Sequence, residues 1–156
     1  MSKENEWCYY SGMPSPNAYK ETKKMSKEFI PYEEALALKE LGFKMPCFSI
    51  YYSKDKSFSW QHHIDHLNNE PALESGEFNI SAPLYQQAFK WFREKYKLFG
   101  EINLTTKQED VEAFEFFCLD INEPLYESID YNTYEEAELA CLKKLIEIVN
   151  QNKEDE

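Results

Sequence analysis

Three near-identical tetrads punctuate this chain of 156 residues: YEEA at 32–35, YQQA at 85–88 and YEEA again at 134–137. Each stands at the head of a stretch whose apolar residues recur at helical spacing. Acids or amides at the second and third positions suit a helix N-terminus, where free N–H groups and the macrodipole are positive. The Tyr fixes the angle at which the chain meets the core, and the small Ala begins a buried stripe. The tetrads therefore commit the chain to three helices at intervals of about fifty residues.

The first helix is expected over about 32–41, with Tyr32, Ala35, Leu36, Leu38 and Leu41 inward and Glu33, Glu34, Lys39 and Glu40 in water. Gly42 follows, where a C-terminal glycine belongs. In the second, Ser81 reads as the cap and Pro83 as a first-turn residue, so the helix starts about a turn before its tetrad. Leu84, Ala88, Trp91 and Phe92 line one face, Phe89 and Tyr96 widen it, and Gly100 ends the segment. In the third, Thr133 and Glu136 have capping-box spacing, and Tyr134, Ala137, Cys141, Leu145 and Ile148 form the stripe.

Between the helices lie runs rich in β-formers. "PCFSIYYS" (46–53) and "SFSWQHH" (57–63) flank a turn at 54–56, and 65–79 reads as a loop. "EINLTT" (101–106) precedes "VEAFEFFCLDI" (111–121). In the latter, Val111, Ala113, Phe117, Leu119 and Ile121 alternate to one side, with Phe114, Phe116 and Cys118 on the other. Two apolar faces predict a central strand. The order α-β-β-α-β-β-α predicts an α+β fold, a four-stranded antiparallel sheet packed with helices, and suggests an internal αββ duplication.

The length fits one domain. Residues 1–28 read as a flexible or loosely packed arm, 29–150 as the domain and 151–156 as an acidic tail. Eleven Phe, eleven Tyr and three Trp promise an aromatic core. Cys8, Cys47, Cys118 and Cys141 are widely spaced with no C-x-x-C pair, as in buried, reduced thiols. No signal core or membrane-length apolar run is present, so the expected location is the cytoplasm, without membrane association.

Charge is segregated. Residues 1–108 hold 14 acids and 14 Lys or Arg, while 109–156 hold 15 acids against Lys143, Lys144 and Lys153, which supplies the whole net charge of −12. Such a field repels nucleic acid and attracts basic surfaces, and it also serves solubility. The expected partner-binding carriers are Glu112, Glu115, Asp120, Glu123, Glu127, Asp130, Glu135, Glu136 and Glu138.

Three segments, "FIPYEEALALKELGF" (29–43), "ISAPLYQQAFKWFREKYKLFG" (80–100) and "YNTYEEAELACLKKLIEIVN" (131–150), together resemble a group of small proteins of Bacteroidetes and their phages. The likeness covers most of the chain beyond residue 28. It implies no activity and no catalytic residues. What it implies is a phage or prophage context and a bacterial host cytoplasm.

No catalytic motif stands out. There is no G-x-S-x-G, and four glycines are too few for a glycine-built phosphate cradle. His62, His63, Asp65 and His66 share one window, with imidazole and carboxylate donors that suit Zn²⁺ or another divalent ion, and this leaves a metal-dependent enzyme as one alternative. Trp60, Phe89, Trp91, Arg93 and Tyr96 form a second candidate set, a stacking pocket for a nucleotide-like ligand with the only arginine as anion fork. The leading expectation is a non-enzymatic, cofactor-free phage-type protein. It engages a host protein with a basic surface, such as a nucleic-acid-binding defence factor, and contacts no nucleic acid itself. The oligomeric state stays open.

Overall fold

The computed structural model describes residues 26–60, 79–106, 112–120 and 124–154. A 3₁₀ turn at Ser26–Glu28 leads to α1 (Tyr32–Glu40), β1 (Ser49–Tyr52), β2 (Phe58–Trp60) and β3 (Asn79–Ser81). Then follow α2 (Tyr85–Tyr96), β4 (Phe99–Thr106), β5 (Glu112–Leu119), β6 (Pro124–Tyr131) and α3 (Tyr134–Glu154). All three helices begin on the tetrad tyrosine. Ala35, Ala88 and Ala137 are buried as expected, and so is Tyr85, while Tyr134 remains 45% exposed. No described helix is long and apolar enough to cross a membrane.

The helix ends follow from local chemistry. Gly42 adopts φ 88°, and its N–H bonds to Lys39 O at 2.9 Å while Phe43 N–H bonds to Leu38 O at 2.9 Å. This is the Schellman closure for which glycine is suited. At α3, Glu136 N–H donates to Thr133 Oγ1 at 3.2 Å, and Glu136 Oε2 accepts from Asn132 N–H at 3.3 Å. Thr133 thus caps as its spacing predicts, but the Glu reaches one residue further back. At α2, Ser81 does not cap: it closes β3, and the helix starts at Tyr85, not a turn earlier. Gln87 Oε1 accepts the Leu84 N–H at 3.0 Å and supplies the cap instead. Nor does Gly100 end that segment. Lys97, at φ 60°, makes the left-handed exit, and Gly100 lies inside β4.

The strands form two antiparallel three-stranded sheets, ordered β2-β1-β3 and β4-β5-β6, rather than the expected single four-stranded sheet. β5 is central, as its two apolar faces predict. The extra strands are β3 and β6, one short and the other acid-bearing, and β3 pairs with β1 instead of extending the second sheet. A helix followed by three strands occurs twice, but the wiring differs. In the first sheet the centre is the first strand in sequence, and in the second sheet it is the second. Internal duplication therefore finds no counterpart in sheet order.

A single core joins the two sheets. α3 packs on β4, β5 and β6 and also against α1 and α2. Ala137, Cys141, Leu142 and Leu145 are fully buried along it. Because α1 lies against α3, Glu34 turns inward instead of into water. It is 9% exposed, and its carboxylate stands 3.5 Å from Lys143 Nζ. On the first sheet, Phe29 and Trp60 meet edge-on at 5.1 Å, and Phe58 packs against Phe29, Tyr51 and Trp60. Tyr51 donates its hydroxyl to Ile30 O at 2.9 Å, fastening the lead-in of α1 to that sheet.

Candidate functional site

The acidic helix α3 starts over the second sheet. There its Tyr134 ring meets Phe114 of β5 edge-on at 6.1 Å. Phe114 pairs with Leu104 across the β4–β5 ladder, and Leu104 is 62% exposed. Exposed apolar side chains thus adjoin the exposed acids Glu135 and Glu136.

A groove of about 360 Å³ runs between α2, β4 and the start of α3, lined by Gln86, Phe89, Arg93, Gly100, Ile102, Tyr134 and Glu138. A second hollow of about 290 Å³ adjoins it, sharing Gln86 and Glu138 and adding Glu28, Leu84 and Tyr85. Glu138 is only partly exposed, and its carboxyl is raised to about 7 by burial first, then by the charges of Glu28 and Glu135. The Tyr85 hydroxyl is raised as well, chiefly by burial and then by Glu138. Arg93 makes no hydrogen bond or ion pair within the described residues. Glu138 is the one carboxylate that lines the groove together with Arg93.

The structure divides the sequence-predicted ligand set. Phe89 and Arg93 line the groove. Trp91 and Tyr96 face away from it, packing with Phe43 and Phe92 in the core. Lys95 Nζ stands 4.8 Å from the Trp91 ring and donates to Leu41 O at 2.8 Å, tying α2 to the end of α1. Trp60 belongs to the aromatic cluster of the first sheet. The five residues therefore do not form one pocket, because α2 spreads its aromatics over two faces.

Of the acidic carriers, Glu135 and Glu136 are exposed on α3, while Glu115, Asp120 and Glu138 are partly exposed. Glu112 begins β5, and Glu127 and Asp130 lie on β6. Glu123, like the window of His62, His63, Asp65 and His66, lies outside the described residues. Among the described residues no group of three or more His, Cys, Asp or Glu could hold a metal.

Cys47, Cys118 and Cys141 are buried and unbridged, as their spacing predicts. Burial pushes the Cys47 thiol up to about 12. Cys141 is raised by its contact with Cys118, Sγ to Sγ 4.0 Å, and then by burial. Such thiols are not nucleophiles.

Gln86, Ile102, Leu104 and Glu28 escaped sequence reasoning as site residues. The available signal was alternation in β4, where Ile102 and Leu104 share a face although only Ile102 has helix cover nearby. Comparison with known protein families, characterised proteins and solved structures finds no match to this chain.

Proposed function

We propose that the chain is a non-enzymatic binding protein that engages a protein with a basic surface through the region where α3 meets β4. In keeping with the phage-like resemblance, the partner is a host protein in the bacterial cytoplasm, of the nucleic-acid-binding kind whose basic groove an acidic face can occupy. The observation that carries the reading is the juxtaposition of exposed Leu104 and Tyr134 with Glu135, Glu136 and the groove carboxylate Glu138. Apolar contact supplies affinity, and acids around it select a cationic partner and speed its arrival. The net charge of −12 favours such a partner over an anionic nucleotide.

The test is capture from host extract, followed by affinity measurement on the purified partner at about 50 mM and about 500 mM salt, across which exposed charges become screened. The partner should be rich in Lys and Arg, and affinity should fall steeply with salt. The double substitution Glu135→Lys and Glu138→Lys should weaken it at least about tenfold, or about 1.4 kcal/mol. A partner bound equally at both salt concentrations, and indifferent to the double substitution, refutes the reading.

A further inference from the structure

The described residues present four sheet edges, and three of them carry the usual protection against pairing with another chain. β2 and β3 are three residues long, too short to template a strand. β6 opens on Pro124, carries Glu127 and Asp130, and pairs with β5 through shifts in register. Proline, charge and irregularity are the devices that blunt an edge. β4 has none of them. Its eight residues, FGEINLTT, contain no Pro or Lys and one charge, Glu101. They pair with β5 without a break from Phe99↔Leu119 to Thr106↔Glu112. Among the described residues the other side of β4 has no strand.

Beside this edge lies the groove lined by Phe89, Ile102 and Tyr134, with Glu138 and Arg93 as its charged residues. A strand laid along β4 sends alternate side chains to that side. A long apolar side chain there meets the rings and Ile102, and a basic one meets Glu138 where it keeps clear of Arg93.

We infer that β4 binds its partner by strand addition, taking an extended basic segment as a fourth strand of the second sheet, with alternate side chains in the groove. This rests on the docking reading above and names its geometry. A second copy of the chain is the poorer occupant. It brings its own net charge of −12 and offers no cation on β4 to meet Glu101. Backbone pairing provides affinity in such complexes, and alternate side chains provide selectivity.

The test uses a terminally blocked peptide of about nine residues alternating Lys and Val, a typical upper strand length. Two controls accompany it: the same peptide with its central Val replaced by Pro, and a version with Glu for Lys. Affinity is read by fluorescence anisotropy, and amide exchange of residues 99–106 by NMR. The straight Lys peptide should slow exchange of alternate β4 amides at least tenfold. The Pro-interrupted peptide, equal in charge, should bind at least tenfold more weakly, and the Glu peptide should not bind.

Equal binding of both Lys peptides with β4 exchange unmoved overturns strand addition while leaving acidic docking intact. Protection of β4 that persists unchanged in Glu135→Lys/Glu138→Lys protein upholds strand addition and removes the acidic contribution. Protection without peptide of the alternate β4 amides that point away from β5, or their protection in step with protein concentration, shows the edge occupied by this chain itself and overturns the proposal. So does failure of the straight peptide to bind.

Discussion

Gly100→Ala tests the closeness of the sheet to its helices. A Cβ at Gly100 stands 2.7 Å from Cys141 Sγ, 2.8 Å from Phe89 Cε1 and 3.0 Å from Phe89 Cδ1. At these separations the contacted side chains or the backbone must shift. Cys141 is fully buried in α3 and packs against Cys118, while Phe89 is 7% exposed on α2. The added methyl must displace the Cys141 and Phe89 side chains or part β4 from the two helices. Overpacking of this kind costs about 1–3 kcal/mol. One effect opposes it. Gly100 is not at positive φ, so Ala suits its backbone and lowers the entropy of the unfolded chain, worth about 0.4–1 kcal/mol. The net expectation is a loss of about 1–2 kcal/mol, which lowers Tm by several degrees in a chain of this size. Urea titration followed by tryptophan fluorescence measures it. The second arm replaces Cys141 by Ala, which removes the sulfur that the methyl strikes. Gly100→Ala should cost less in that background than in the wild type, a coupling that contacting residues show and distant ones do not. A Gly100→Ala variant as stable as wild type, or an identical cost in both backgrounds, refutes the packing argument.

Lys97→Gly removes a side chain from the left-handed exit of α2 at φ 60° and should raise stability by about 0.5–1 kcal/mol in the same titration. Thr133→Ala deletes the hydroxyl that caps Glu136 N–H, at a cost of about 1 kcal/mol, while Thr133→Asn should keep most of it. Glu138 gives a pH signature. Its folded value of about 7 exceeds the ordinary 4.5, so the folded state holds the proton more tightly, and stability falls as pH rises from about 4.5 to about 7. Glu138→Gln should flatten that limb and gain on wild type at pH above 7. Parallel stability–pH curves for the two proteins contradict the assignment.

Helix positions were legible in the sequence because they depend on local chemistry. A tyrosine, two N–H acceptors and an alanine fit a first turn wherever they occur, and Gly42 stops α1 by its own conformational freedom. What escaped was set by tertiary partners. Ser81 and Pro83 make a plausible helix start, but Asn79–Ser81 is captured by β1, whose Ile50 lies opposite Ser81. β6 pairs its acid-bearing sequence with β5, a strand that nonlocal apolar packing had already fixed at the centre. Glu34 reads as solvent-facing until Lys143, more than one hundred residues later, is seen opposite it. Of the candidate site, the acidic bias of the last third was visible in composition. The groove was not, because Phe89 and Arg93 meet Ile102 and Glu138 only when α2 folds back on β4.

The unequal wiring of the two sheets carries a kinetic consequence. β4, β5 and β6 pair in sequence order, and α3 follows at once, so residues 99–154 close their contacts over short loops. The first sheet must bring β3 back to β1 across residues 53–78, and α1 must wait for α3 to bury its inner face. Short-range pairing forms early because little chain entropy is lost in closing it. The C-terminal portion should therefore nucleate folding and the N-terminal portion condense on it. Conservative truncations in β5 should slow refolding, whereas those in β1 should chiefly speed unfolding. The reverse pattern in stopped-flow chevrons would place the nucleus in the first sheet. In a growing chain this order leaves the first sheet without its scaffold until the last helix has been made.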